Sequence, residues 1–305
     1  MSHRLGSSRN AICIVAILAW TGSASAYVRT TNTNGTAIAW RRSCVFVTPQ
    51  ADGCPDESPQ ATFAAIEASA KTWNDAATTC NAFIQFVMAD PTERADRGFN
   101  PKGKNTNVIV WVQDLWGDGS SRYDPQAVAL TTLTFVLDKG ANDDGEILDA
   151  DIEVNAVNHA FSTDPQGAVG KYDIQNTLTH EMGHILGLDH TCYSGDLPER
   201  PVDDQGNPIP DCDPLSALPS SIRNTTMYPY SVPGETDKRS LSSDDIKGLC
   251  AIYPSDQNPN ICTPVDLTQK GCGCRTVADS TTPTPWLWWS LLGLGLVLVS
   301  RRRRR

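Results

Sequence analysis

The chain has 305 residues, a mean hydropathy of −0.31 and a formal net charge of −10. Between residues 27 and 275 there are 18 lysines and arginines against 34 aspartates and glutamates, a net charge of −16. This acidic body argues against nucleic acid or anionic lipid as a partner, because both attract basic surfaces.

The first 26 residues have the order of a secretory signal peptide. Arg4 and Arg9 precede the apolar run AICIVAILAW, and Ala24 and Ala26 form an A-x-A site. Ten apolar residues are too few to span a bilayer, so the pattern favours export over a membrane anchor. The mature chain is predicted to begin at Tyr27.

The body alternates between strand and helix patterns. Runs of β-branched and aromatic residues predict strands at residues 43–50, 83–87, 107–113, 129–138 and 147–156. Apolar periodicity and capping residues predict helices at 58–80, 172–188 and 241–254. Ser58, Asp173 and Ser242 can cap these helices, and Ser242 with Asp245 forms a capping box. Residues 191–239 are loop-like, so one sheet with few helices indicates an α+β domain.

Three histidines define a candidate metal site. His180 and His184 lie four residues apart on the second predicted helix, so both side chains project from one face. Glu181, next to the first histidine, can act as a general base in this H-E-x-x-H arrangement. Gly187 can end the helix in a left-handed turn that brings His190 back toward the metal. Three protein ligands with one open position are typical of a catalytic zinc site, since a structural site has four.

Two simpler interpretations compete with catalysis: ordinary helix histidines, and a zinc site that binds without reacting. Chance assembly of H-E-x-x-H-x-x-G-x-x-H from this composition is on the order of a few in a million, which disfavours the first. Glu181 argues against the second.

The segment from His180 to His190 resembles the zinc-binding motif of the metzincin endopeptidases. Metzincins also have a methionine-containing turn below the metal, and Met227 in TTMYPY fits that position. Met-Tyr-Pro followed by LSSDDIKGLCAIYP is similar to the matrixin branch. The resemblance implies a metzincin fold for residues 27–254. That fold has a mixed twisted sheet with two long helices, and a small C-terminal subdomain with a third helix.

The same resemblance implies an exported, monomeric zinc endopeptidase that hydrolyses peptide bonds in proteins or peptides. Zinc would polarise the scissile carbonyl while Glu181 takes the proton from water and passes it to the departing amine. The substrate would pair as an extended strand with a sheet edge, for which residues 129–133 and 149–155 are the candidates.

Several residues depart from the family patterns. Pro229 stands where astacins and serralysins have a tyrosine near zinc, and Ser231 replaces a tyrosine in the wall of the matrixin pocket for the side chain after the cleaved bond. Residues 117–135 contain no histidine, so no second, structural zinc is expected. The spare His159 is expected to be a solvated or core residue. No cysteine-switch segment is present between Tyr27 and the first strand.

An acidic segment at residues 138–153 raises the question of calcium. Its carboxylates are Asp138, Asp143, Asp144, Glu146, Asp149 and Asp151. Carboxylates suit calcium, although the spacing is not that of an EF-hand. A solvated acidic turn is the alternative, and the resemblance to calcium-stabilised matrixins favours the ion slightly.

Nine cysteines remain after the signal peptide, and export makes disulfides the expected state. Six of them could form three bridges within the body: Cys44, Cys54, Cys80, Cys192, Cys212 and Cys250. Cys192, two residues after the last histidine, is interpreted as a disulfide partner of Cys212 and not as a zinc ligand. The remaining pairing stays open.

The C-terminal region combines a polar linker at 255–285 with an apolar and arginine-rich tail at 286–305. GCGCRTVADS, the apolar run and the five arginines resemble the MYXO-CTERM sorting tail of exported bacterial proteins. This implies processing near Cys272 or Cys274, anchoring at the cell surface through a lipid or secretion after processing, and an odd cysteine count without a free thiol. The alternative is a disulfide from Cys262 to one of that pair, with a simple membrane anchor.

Two other function classes remain open at this stage. One is a non-catalytic surface-binding protein that retains the metzincin fold. The other is a zinc hydrolase acting on cell-wall peptide. Zinc content and chelator-sensitive cleavage of a generic protein separate the first from a peptidase, and a comparison of peptide and wall substrates separates the second.

Overall fold

The computed structural model describes residues 27–117, 123–195 and 199–268. The predicted signal peptide, Cys272, Cys274 and the tail at 286–305 lie outside the described residues. The strands in chain order are β1 (Val28–Arg29), β2 (Cys44–Pro49), β3 (Gln85–Met88), β4 (Asn107–Val112), β5 (Ala129–Phe135), β6 (Ile147–Asn155), β7 (Phe161–Ser162), β8 (Tyr172–Asp173) and β9 (Leu188–Asp189). The α-helices are α1 (Pro59–Thr79), α2 (Ile174–Ile185), α3 (Ser220–Arg223) and α4 (Ser243–Ile252).

Strands β2 to β6 form a mixed sheet in the order β3-β2-β4-β6-β5. β2 runs parallel to β3 and β4, and β4 runs parallel to β6. β5 is antiparallel to β6 and forms one edge of the sheet. The prediction of an α+β fold with a mixed sheet and few helices is therefore confirmed.

Helix α1 begins where the sequence predicts. Ser58 caps it with its side chain, and Pro59 occupies the first turn, where its missing N–H costs no hydrogen bond. Ile66 and Trp73 are buried on the predicted apolar face. The Trp73 indole Nε1–H donates to the Thr179 carbonyl at 2.9 Å, so α1 is tied to α2 at the level of the histidine motif.

Helix α2 is shorter than predicted. It ends at Ile185, and after Leu186 and Gly187 the chain forms β9, which pairs antiparallel with β1. Gly187 has φ +83°, and a Cβ there would lie 2.6 Å from the Ile38 carbonyl oxygen. A left-handed turn in close contact with the N-terminal segment therefore ends the helix, and the sequence pattern of α2 alone does not show this partner.

Three disulfides join distant parts of the domain: Cys44–Cys262, Cys80–Cys250 and Cys192–Cys212. The predicted Cys192–Cys212 bridge is confirmed.

The proposed set of six body cysteines is wrong, because Cys262 takes the place of Cys54. Cys54 is a free thiol in the buried core, where burial raises its pKa to about 11, so the expectation of no free thiol is also wrong. The alternative bridge from Cys262 to Cys272 or Cys274 is excluded by the bond to Cys44.

The disulfides agree with an exported protein, since such bonds persist in oxidising compartments. None of the helices in the described part of the chain is long and apolar enough to cross a membrane. The predicted anchor falls outside that part and stays a prediction.

Candidate metal centre

Helix α2 carries the first half of the histidine motif and is anchored at its start. The Asp173 carboxylate caps it by accepting a hydrogen bond from the Asn176 amide at 2.7 Å. Arg239 forms an ion pair with Asp173. The predicted cap is confirmed, and the helix is held in a fixed position from its first turn.

The turn after α2 carries the second half of the motif. Trp40 donates its indole N–H to the Ile185 carbonyl at 2.8 Å, and the Tyr253 hydroxyl donates to the Leu186 carbonyl at 3.0 Å. These two bonds satisfy carbonyls that a helix end otherwise leaves without partners. Beyond the left-handed Gly187, β9 returns the chain and places His190 beside the helix.

The three histidine side chains converge on one point. Their Nε2 atoms are separated by 3.2 Å between His180 and His184, 3.3 Å between His180 and His190, and 3.1 Å between His184 and His190. Three nitrogens bound to one tetrahedral zinc at about 2.0–2.1 Å lie about 3.3 Å apart. The nitrogen triangle therefore has the size that a zinc ion requires.

Backbone carbonyls fix the orientation of two of the rings. The His180 Nδ1 lies 2.6 Å from the Thr226 carbonyl oxygen, and the His184 Nδ1 lies 2.9 Å from the Leu188 carbonyl oxygen. A carbonyl accepts only, so each Nδ1 must carry the proton and each Nε2 is left with its lone pair toward the centre. This is the tautomer that binds a metal, and such outer contacts are typical of metal sites.

Met227 is buried, and it follows Thr226, whose carbonyl oxygen contacts His180. A Cβ at Gly183 would lie 2.3 Å from the Met227 Sδ atom, so a glycine on α2 is needed for this close approach. The Asp245 carboxylate accepts hydrogen bonds from the Thr226 amide at 2.9 Å and the Met227 amide at 3.3 Å. The aspartate of the α4 capping box therefore also holds the turn whose carbonyl contacts His180.

Glu181 faces the cleft beside the cluster. Its side chain is 6 % exposed, and its Oε2 accepts a hydrogen bond from the Thr131 hydroxyl at 2.7 Å. Thr131 lies on the edge strand β5, so the strand and the helix meet at this carboxylate. Glu181 lines both a cavity of about 60 Å³ on the His184 and His190 side and one of about 280 Å³ on the His180 side.

The remaining predicted residues lie around the centre. Pro229 and Ser231 are in the wall of the larger cavity. Cys192 is in its disulfide, which agrees with its exclusion as a ligand. His159 lies outside the cluster, with its ring 5.0 Å from that of Tyr172, and burial lowers its pKa.

The acidic segment does not form a comparable cluster. Asp144 accepts hydrogen bonds from Asn32 and Thr36, and those bonds hold its pKa below the usual range. Among the residues that the structure describes, His180, His184 and His190 form the one group of three or more His, Cys, Asp or Glu side chains whose ligand atoms lie within 4.8 Å of one another. Calcium binding stays a prediction.

The sequence patterns did not indicate three residues of the site. Thr131 contacts Glu181, Lys238 lines the larger cavity, and the carbonyl of Thr226 orients His180. Thr131 and Thr226 contact residues at least 46 positions away in the sequence, and Lys238 is identified only by the cavity that it lines. Spacing within a short stretch of sequence cannot show such relations. The capping box identified Asp245 in the sequence as a residue at the start of a helix. It did not predict that Asp245 also accepts hydrogen bonds from the backbone amides of Thr226 and Met227.

Comparisons with known proteins do not assign the chain to a family. No family model matches it, and no curated protein matches it. Among the solved structures that match is that of myroilysin, with 14 % sequence identity and a TM-score of 0.32. The match covers 71 % of this chain and 82 % of the myroilysin chain. A TM-score this low supports no conclusion on fold or function, so the functional argument depends on the site itself.

Proposed function

We propose that this protein is an exported zinc-dependent endopeptidase of the matrixin-like type. The convergence of three Nε2 atoms at zinc-ligand spacing, with the carboxylate of Glu181 beside them in an open cleft, carries the proposal. The histidine motif, Gly187 and Met227 support the finer comparison with metzincins.

The residues fit one zinc ion, which the Nε2 atoms of His180, His184 and His190 would hold with each imidazole in its neutral form. Such an ion, when bound, supplies Lewis acidity that polarises the scissile carbonyl and lowers the pKa of water at the site. In this proposal Glu181 would accept the proton of the attacking water and return it to the departing amine. Thr131, through its hydroxyl, orients the carboxylate that does so.

Strand β5 is the proposed binding edge for an extended peptide. It has β6 as its neighbour on one side and borders the cleft on the other, with Thr131 next to Glu181. The second candidate edge, residues 149–155, is wrong, because β6 is an inner strand that lies between β4 and β5. Main-chain pairing with β5 would present a peptide bond to Glu181 without requiring one particular sequence.

Glu181→Gln in the full-length, exported protein tests the assignment. The amide cannot accept the proton, so we expect cleavage of casein or a peptide library to fall by about 10²–10⁴-fold. Zinc content, measured by mass spectrometry, should stay at the wild-type level because the three histidines are intact. Glu67→Gln, at an exposed position on α1, is the matched control and should behave as wild type.

The outcomes separate the competing functions. Wild-type protein that binds zinc and cleaves neither protein nor peptide would favour a non-catalytic binding protein. Activity confined to cell-wall peptide would favour the wall hydrolase. Full residual cleavage in Glu181→Gln would remove Glu181 from its role.

A further inference from the structure

The larger cavity beside His180 and Glu181 has a wall made by two elements. Helix α2 contributes Thr177, and the segment after the methionine turn contributes residues 229–232. Glu181 lines the same cavity, which has a volume of about 280 Å³. With Glu181 as the general base, a substrate side chain next to the cleaved bond would enter this cavity. The polar groups of the wall would therefore help to determine which side chains are accepted.

Thr177 carries a hydroxyl that the folded chain leaves unsatisfied. The residue is 6 % exposed, and its Oγ1 atom is buried without a hydrogen-bond partner among the described residues. Thr179, two positions further along α2, differs, because its hydroxyl donates to the Gln175 carbonyl one turn back at 2.7 Å. A helical threonine has two accessible χ1 rotamers, so the Thr177 hydroxyl can turn toward the cavity that its side chain lines. A ligand atom that bonds to it would remove the cost of a buried, unpaired hydroxyl.

Asn176 connects α2 to the other element of the wall in a defined orientation. The backbone N–H of Lys238 can only donate, and it lies 2.7 Å from the Asn176 Oδ1. The amide oxygen is thereby identified, so the Asn176 Nδ2 is the atom that donates to the Ser231 hydroxyl at 3.3 Å. The ammonium of Lys238 donates to the same hydroxyl oxygen at 2.9 Å.

The Ser231 hydroxyl is consequently limited to the role of a donor. A hydroxyl has one O–H group and two lone pairs, and both lone pairs of Ser231 receive hydrogen bonds from nitrogen groups that do not accept. Ser231 is half-buried and lines the cavity, and its O–H has no acceptor among the described residues. The O–H is therefore available to an acceptor that enters the cavity.

We propose that Thr177 and Ser231 make this cavity select an uncharged polar side chain, glutamine or asparagine, next to the cleaved bond. The inference rests on the proposed peptidase function and names its substrate class. A carboxamide has a carbonyl oxygen that can accept from Ser231 and an NH2 group that can donate to Thr177. An alkyl group of similar size makes neither bond. A carboxylate can accept from both hydroxyls, but its charge costs more to desolvate, and Asp124 and Glu181 line the same cavity.

The test uses peptides that differ at one residue flanking the cleaved bond. Gln, Met and Glu are compared at each of the two flanking positions, with kcat/KM measured for the full-length protein loaded with zinc. We expect Gln to exceed Met by about tenfold at one position, because a site that offers hydrogen bonds to the substrate discriminates against a side chain that makes none. Gln should also exceed Glu at that position.

Thr177→Val separates the hydroxyl from the shape of the side chain. The ratio of kcat/KM for the Gln peptide to that for the Met peptide should fall by about threefold or more, and Thr177→Ser should keep the wild-type ratio. Because the Oγ1 atom has no partner to lose, Thr177→Val should unfold at the same denaturant concentration as the wild type or at a higher one. Thr78→Val, the same substitution at an exposed position on α1, is the matched control and should leave the ratio unchanged.

Failures of the two proposals look different. Cleavage of the Met or Glu peptide at least as fast as the Gln peptide at both positions would overturn the selectivity and leave the peptidase intact. A Gln preference that persists in Thr177→Val, or a loss of stability in that variant, would overturn the role of Thr177. No cleavage of any peptide by zinc-loaded protein would count against the proposed function itself, and the stability of Thr177→Val would still report whether the hydroxyl has a partner.

Discussion

The histidine motif on α2 and the acidic strand β6 both concentrate side chains that bind metals, but only one of them forms a centre. The Nε2 atoms of His180, His184 and His190 meet at 3.1–3.3 Å. On β6, Asp149 and Asp151 are both buried, yet their carboxylates do not join a third ligand within the described chain. A high local density of ligand residues is therefore not enough to make a site.

Backbone geometry explains the difference. Positions four apart on a helix lie one above the other, and a left-handed turn at Gly187 then directs a third side chain to the same point. On a strand, positions two apart face the same side but lie about 7 Å from each other. Strand carboxylates therefore form a row, and each must find its own partners.

The partners in that row differ from one carboxylate to the next. Asp151 accepts hydrogen bonds from the Val108 amide at 3.0 Å and the Gly98 amide at 2.6 Å, and Glu153 pairs with Arg97. In Asp149, the Oδ1 atom is buried without a hydrogen-bond partner among the described residues. Burial, with the charge of Asp151 nearby, raises the pKa of Asp149 to about 8, and burial raises that of Asp151 to about 6. The comparison can be tested by changing one side chain in each region.

The largest effect is expected from His190→Ala, which removes the ligand supplied by the turn. Loss of contacts outside the ligand shell alone costs about 10–100-fold in metal affinity, so loss of a ligand should weaken zinc binding by more than 100-fold. Competition with a calibrated chelator measures the affinity. The matched control is His159→Ala, since His159 lies outside the cluster and its removal should leave zinc affinity unchanged.

Equal zinc affinity in His190→Ala and wild type would mean that two helix histidines suffice. In that case the turn at Gly187 would have no part in binding the metal. It would then not explain why the histidine motif forms a centre and the carboxylates of β6 do not.

A smaller effect is expected from Thr131→Val on the strand next to β6. The substitution keeps the shape and removes the hydroxyl that orients Glu181, so kcat should fall by about tenfold while KM and zinc content stay constant. Thr131→Ser should restore most of the rate. Thr132→Val is the control, because side chains alternate along a strand and Thr132 faces the other side of the sheet.

The outcome that contradicts this role is a change in KM with kcat unaltered, or an equal loss in Thr131→Ser. Either would indicate that Thr131 shapes the cleft and does not position the carboxylate.

The smallest effect is expected from Asp149→Asn and concerns stability. The folded-state pKa of about 8 lies above the ordinary value of 3.8, so the folded protein binds this proton more tightly than the unfolded chain does. Stability from this group is thus complete below about pH 4 and is lost as the pH rises through 8. Asp149→Asn should remove that loss and stabilise the protein at pH 8 by about 1 kcal/mol or more, as measured by denaturant unfolding from pH 5 to 8.

The exposed Asp143→Asn is the control for this series and should follow the wild-type pH dependence. Calcium provides a second arm of the same experiment. If an ion binds at Asp149, calcium at pH 8 should stabilise the wild type and not Asp149→Asn. A different result would contradict this prediction: the wild type and Asp149→Asn could both have a stability that does not change with pH or with calcium. The carboxylate of Asp149 would then be better solvated than its buried position indicates.

Much of the local structure could be predicted from the sequence. The caps at Ser58, Asp173 and Ser242 and the five strands of the main sheet follow from short-range patterns, and all occur within a few residues of the predicted bounds. These features depend on which backbone groups lie three or four residues apart, or on alternation along one strand. Two of the three candidate metal ligands could be predicted for the same reason, because helical spacing places His180 and His184 on one face.

Other features required the folded chain. The sequence did not show that Cys54 stays a thiol while Cys44 bonds to Cys262, since cysteines far apart in the chain pair according to distance in space. It offered two candidate edges for a peptide, and only the strand order identifies β5.

By itself the sequence determined the chemical identity of the centre: three imidazoles, a neighbouring carboxylate and the glycine that turns the chain between them. Tertiary structure decided that the Nε2 atoms meet at zinc-ligand spacing, that Thr131 contacts Glu181, and that Lys238 lies in the wall of the adjoining cavity. The physical reason is the separation along the chain over which each effect acts. Backbone geometry fixes relations over a few residues, whereas contacts between α2, β5 and the loop after Met227 depend on how separate elements pack.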